Sequence, residues 1–128
     1  MLIAVSEEFS TSTLKVSEGE REEYIVTRHS NFKPALNVIN LYGKQESRQS
    51  AEDIRKGWED VLNEIIKIES KKEHFLLLGD LNRHIGNNLI PKNHTKETLA
   101  GKLLNDLLER DSVTLVNATE KTINGPFT

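Results

Sequence analysis

A chain of 128 residues, 36% apolar and 29% charged, has room for one modest domain, and its apolar runs are far too short to span a bilayer. It has no cysteine, which excludes a disulfide framework and a cysteine-based zinc site. A net charge of -3 argues against a broad electrostatic footprint on nucleic acid, but not against an enzyme that meets phosphate through a metal ion.

Leu2, Ile3, Ala4 and Val5 open the chain as though already inside a sheet, which predicts further sequence upstream. Glu7 and Glu8 follow almost at once, so no secretory hydrophobic segment forms. A location inside the cell, nucleus or cytoplasm, is expected rather than secretion. Residues 6–12 are polar and turn-like, and residues 13–16 read as a short strand. Acids around Gly19 mark a hairpin loop over 17–23. Tyr24, Ile25, Val26 and Thr27 are aromatic or β-branched and predict a strand. A polar loop over 29–34 leads to a strand over 35–42. Period-two alternation puts Leu36, Val38, Asn40 and Tyr42 on one face and Asn37, Ile39 and Leu41 on the other.

Ser50 with Asp53 three residues on resembles a helix capping box. Behind it Ile54, Trp58, Val61, Leu62, Ile65 and Ile68 fall on one stripe at helical spacing, predicting a helix over about 51–69. Gly57 is a weak point in that helix, and Trp58 is assigned to the core rather than to a ligand platform. Lys71, Lys72 and Glu73 end it.

Residues 74–86, HFLLLGDLNRHIG, are the most informative stretch. Residues 75–78 are apolar without alternation, which predicts a buried central strand covered on both faces. It stops at Gly79-Asp80, where a layered α/β fold builds ligand sites. A carboxylate leaving an apolar strand is costly unless it is paired or solvated. Asp80 and Asn82 are therefore either site residues or turn residues whose side chains bond nearby backbone. In extended backbone the two would project the same way.

A polar loop follows through Thr98, with Pro91 and His94 in it. Leu99, Leu103, Leu104, Leu107 and Leu108 then mark the buried side of a second helix over 99–109. Residues 113–116 read as another strand, ending at Asn117. Gly125-Pro126 is a turn, and Phe127-Thr128 resembles the start of a further strand. The order of elements predicts a mixed α/β (α+β) fold. The strands at 35–42, 75–80 and 113–117 should be adjacent in one sheet, with both helices packed on its outer face.

Four features together resemble the endonuclease/exonuclease/phosphatase superfamily. An apolar strand runs into Gly79-Asp80-Leu81-Asn82, like the family's GD-x-N motif, and His84-Ile85-Gly86 follows as in retrotransposon-type, apurinic-like endonucleases. Val38 to Tyr42 is similar to the family strand that ends in an active-site Tyr. The helix before the motif matches. So does Gly101-Lys102-Leu103-Leu104 leading on to Val113 through Asn117. The motif alone is a weak pattern; the four in this order are specific. The resemblance implies a partial DNase-I-like four-layered β-sandwich flanked by helices. All of 1–128 would be the central part of one such domain, truncated at both ends. The family's earlier metal-binding Glu and its later Ser-Asp-His have no counterpart here, since none of His29, His74, His84 and His94 follows a Ser-Asp pair. Lys44-Gln45 stands where the family has Pro-Asn.

The implied activity is Mg²⁺-dependent hydrolysis of DNA phosphodiesters, with Asp80, Asn82 and Tyr42 as the catalytic set. Asp80 would orient or deprotonate water, and Asn82 would hold that water or a phosphate oxygen. Tyr42 would donate to the phosphate; apart from the resemblance it reads more readily as an amphipathic aromatic at a strand end than as a site residue. Asn40, Gln45 and His84 would border the substrate, although Asn40 could merely satisfy buried backbone and His84 could be a plain loop residue. The principal metal ligand is missing, leaving Asp80 as a candidate ligand and Mg²⁺ weakly held or absent in this chain. DNA is the expected partner of the complete domain. An uncovered sheet face should make the chain alone self-associate. Two other readings stand beside this one. One is a non-catalytic remnant, and the other a phosphatase of the same superfamily acting on a lipid head group.

Overall fold

A computed structural model describes residues 3–7, 13–19, 23–45, 48–82, 98–110 and 112–116. The chain divides into two compact units, Met1–Asn82 and Arg83–Thr128. His84, the loop over 83–97, Asn117 and the turn and strand start expected over 125–128 lie outside the described residues.

The described part of the first unit is a four-stranded sheet with one helix. The elements are β1 (Thr13–Glu18), β2 (Glu23–His29), β3 (Leu36–Tyr42), α1 (Ala51–Ser70) and β4 (His74–Leu78). The strand order is β1-β2-β3-β4. The pairs β1·β2 and β2·β3 are antiparallel and β3·β4 is parallel, with α1 as the crossover between β3 and β4. This is a mixed α+β arrangement. The opening residues 3–6 are not a strand; they carry no regular structure.

The alternation of β3 decides which face is buried. Asn37, Ile39 and Leu41 are buried, while Tyr42 on the other face is exposed. Register places Tyr24 opposite Leu41 and Val26 opposite Ile39, so these join the buried face. Phe75 and Leu77, beside Asn37 and Ile39, extend it onto β4. α1 supplies the other layer, with Ile54, Trp58, Val61, Ile65 and Ile68 buried. Trp58 is thus a core residue, and Leu62 only flanks the stripe. Ile39, Leu41, Ile65, Val26 and Val61 are the largest fully buried side chains among the described residues. Each such side chain contributes roughly 1.5–3 kcal/mol by leaving water.

Both ends of α1 are built by local chemistry. Ser50 is the N-cap, its Oγ accepting from the Asp53 amide at 3.1 Å. At the other end Lys72 takes a left-handed φ of 56°. Its amide donates to the Glu69 carbonyl at 2.9 Å, and the Glu73 amide donates to Ile68 at 3.3 Å. That pair of bonds is the Schellman stop, here with lysine where glycine is usual.

Two expectations are corrected. The apolar run in β4 is not a central strand covered on both sides. Among the described residues β4 is an edge strand, and Leu76 and Leu78 on its open face are 42% and 38% exposed. Lack of alternation misled because the strand is apolar on an open face as well as on a covered one. Nor do residues 113–116 form a strand. The Val113 amide donates to the Arg110 carbonyl at 3.0 Å, so a local turn takes the group a ladder would need.

The second unit holds α2 (Leu99–Leu108), capped by Thr98, whose Oγ1 accepts from the Gly101 amide at 3.1 Å. Leu104 and Leu107 are buried as the leucine spacing implies. Ala100, Gly101 and Asn105 share the buried side, while Leu99, Leu103 and Leu108 lie only at its margin. No described helix is long and apolar enough to cross a membrane.

Candidate functional site at the strand ends

The carboxyl ends of β3 and β4 lie side by side. The ladder pairs Asn40 with Leu78, and two residues further on come Tyr42 and Asp80. The Gly43 amide donates to the Asp80 carbonyl at 2.8 Å, which keeps the two chains together past the last ladder pair. Tyr42 is 46% exposed and Asp80 is exposed, so both stand at the surface of this edge.

Gly79 makes the bend between strand and motif. Its φ is +121°, and a β-carbon there would collide with the Leu41 carbonyl oxygen and press on Asn40 Oδ1 at 3.0 Å. Only glycine fits that backbone and that approach. The same contact sets Asn40 next to the motif, as its place on the Tyr42 face implies.

Asp80 and Asn82 do not project in parallel from extended backbone. Gly79 turns the chain, and Asn82 has a left-handed φ of 47°. Asn adopts that region more readily than most residues because it lacks branching at the β-carbon and bonds locally. Asp80 Oδ1 accepts from the Asn82 amide at 3.2 Å. Asn82 Nδ2 in turn donates to the Gly43 carbonyl at 2.6 Å. Both side chains therefore make the backbone bonds of a turn. Gln45 is exposed, and its carbonyl accepts from the Arg48 amide at 3.2 Å on the way into α1.

Asp80 offers one carboxylate at this edge. Mg²⁺ takes six oxygens, several of them water, and is held through one or two protein carboxylates together with substrate phosphate. Among the described residues no group of three or more acidic, histidine or cysteine side chains could hold an ion.

A second polar cluster, not anticipated from sequence, lies at the opposite end of the sheet. Arg28 Nε donates to Glu73 Oε1 at 2.9 Å and Nη2 to Oε2 at 2.9 Å, while Asn37 Nδ2 donates to Oε1 at 3.0 Å. Hydrogen bonds from Arg28 and Asn37 hold the Glu73 carboxyl down at about 2, and Glu73 raises the Arg28 guanidinium in return. The one available signal was Asn37, a polar residue on the face of Ile39 and Leu41. A buried amide there requires a partner.

Comparison of the chain with protein-family models, with characterised proteins and with solved structures finds no match.

Proposed function

We propose that this chain is the central part of a metal-dependent phosphodiesterase domain of the endonuclease/exonuclease/phosphatase type. Its reaction is hydrolysis of DNA phosphodiester bonds, and its origin a retroelement. The observation that carries the reading is the adjacency of Tyr42 and Asp80 at the ends of two parallel strands, with Asn82 bonded to the residue after Tyr42. In this reading the exposed Asp80 carboxylate orients the attacking water or takes its proton. The Tyr42 phenol donates to a phosphate oxygen, and Asn40 and Gln45 border the substrate. A divalent ion, Mg²⁺ by resemblance, would stabilise charge on the phosphoryl oxygens. The groups that hold it would come mainly from outside this chain. The DNase-I-like sandwich is part of the same proposal. The open sheet face, with Leu76 and Leu78 half-exposed, supports it because a second sheet is what covers such a face.

A second reading, a remnant without activity, draws on one observation. The Asp80 and Asn82 side chains already bond to backbone, as turn residues do.

Plasmid nicking in Mg²⁺ tests the proposal. The expected result is activity in a longer parent chain that restores the sandwich and none from residues 1–128 alone. Robust nicking by 1–128 that survives Asp80→Asn overturns it.

A further inference from the structure

Gly43 is the first residue past β3, and both of its backbone groups are engaged by the motif that follows β4. Its amide donates to the Asp80 carbonyl at 2.8 Å, and its carbonyl accepts from Asn82 Nδ2 at 2.6 Å. The Asn82 amide meanwhile donates to Asp80 Oδ1 at 3.2 Å. One residue therefore fastens the Asp80 side chain through its backbone and the end of the Tyr42 strand through its side chain. From this ring of bonds we propose that Asn82 is a positioning residue, a strap that fixes the end of β3 against Asp80 before any substrate arrives.

Two demands meet at this position, and together they select asparagine. The backbone is left-handed at φ 47°, which favours Gly, Asn and Asp. The Gly43 carbonyl needs a donor. Glycine has none, and an ionised aspartate has only acceptors. A group meant chiefly to hold water or phosphate would keep its hydrogens directed outward. Here one amide hydrogen is committed to protein backbone through a short bond. The benefit is preorganisation. Side chains that must act on one phosphate are held at fixed separation, which spares the ordering cost at the moment of reaction. The inference rests on the phosphodiesterase reading only in treating Tyr42 and Asp80 as a site.

Amide hydrogen exchange on residues 1–128 tests the strap without metal or nucleic acid. Asn82→Gly keeps the left-handed backbone and removes the donor. Asn82→Asp keeps the shape, but its carboxylate cannot donate to Gly43, whereas its protonated form can. That carboxyl would face a carbonyl oxygen, which favours the neutral acid as pH falls. Protection of the Gly43 amide should drop about tenfold in Asn82→Gly at both pH 7 and pH 4. In Asn82→Asp it should drop at pH 7 and return at pH 4. The wild-type chain measured at both pH values is the control. The His74 amide, bonded to Ala35 at the far end of the sheet, should keep its protection throughout. Unchanged Gly43 protection in both variants overturns the strap, as does Asn82→Asp with no recovery at pH 4. A loss shared equally by His74 overturns it as well, because it would mean general loosening. Failure of the strap leaves the nicking experiment standing, and failure of nicking leaves the strap standing.

Discussion

Arg28 grips both oxygens of the Glu73 carboxylate, with Nε at 2.9 and 3.2 Å and Nη2 at 2.9 Å. The pair ties β2 to the end of α1 across Asn37 of β3. Glu73 falls from 4.5 to about 2 on folding, so its contribution is fully present above about pH 4.5 and is lost as pH drops toward 2. Urea midpoints at pH 6 and pH 2.5 should fall further for the wild type than for Glu73→Gln. Equal falls in the two chains would show that the pair carries none of the acid sensitivity.

Lys72 offers a stabilising change. It closes the Schellman stop at φ 56°, where a side chain is strained and glycine is not. Lys72→Gly should raise stability by about 0.5–1 kcal/mol, the strain relieved less the extra chain entropy. Chemical denaturation measures it. A loss of stability would mean that the lysine side chain holds something of greater value than its backbone costs.

Gly79 should tolerate nothing. Adding a methyl group meets both an unfavourable φ of +121° and the Leu41 carbonyl. Gly79→Ala should cost about 2–3 kcal/mol and loosen the end of β3 as well as its own strand. A near-neutral change in the denaturation midpoint would show that the bend can move elsewhere.

Sequence pattern located most of this, for reasons that are local. The faces of β3, the stripe and N-cap of α1 and the core place of Trp58 follow from periodicity and capping alone, each signal lying within a few residues. The bond from Arg28 to Glu73 spans 45 positions and leaves no local trace. Whether residues 75–78 were covered on both faces depended on neighbours that an apolar run does not encode. At the site, the adjacency of Tyr42 and Asp80 followed from parallel order. The turn of Asn82 did not, because it depends on Gly79 adopting a conformation that only the packed Leu41 carbonyl reveals.

The open face of β4 should be sticky. Leu76, Leu78 and Tyr42 are exposed there, with Asp80 at the end of the strand beside Tyr42. Edge strands normally carry charge or bulges to prevent association, as β1 does with Lys15, Glu18 and a register shift between Lys15 and Ser17. The chain should bind a hydrophobic dye and self-associate as concentration rises. Replacing Leu76 and Leu78 together by Thr should weaken both effects and shift stability by no more than about 1 kcal/mol, since both side chains are already half-exposed. A monomer that stays dye-negative at high concentration would count against an uncovered sheet face.

Asp80→Asn separates chemistry from folding at the strand ends. The carboxylate is exposed, and its bond from the Asn82 amide needs only an acceptor oxygen. The asparagine side chain supplies one, so the turn should persist and the denaturation midpoint of residues 1–128 should barely move. What the substitution removes is the negative charge and the ability to accept a proton from water. If Asp80 orients or deprotonates the nucleophile, a full parent domain carrying Asp80→Asn should turn over DNA at least ~10²-fold more slowly with little change in KM. A rise in KM at unchanged kcat would move Asp80 from water activation to substrate binding. Full activity with an unchanged pH profile would remove it from the site altogether, leaving its bond to Asn82 as its whole role.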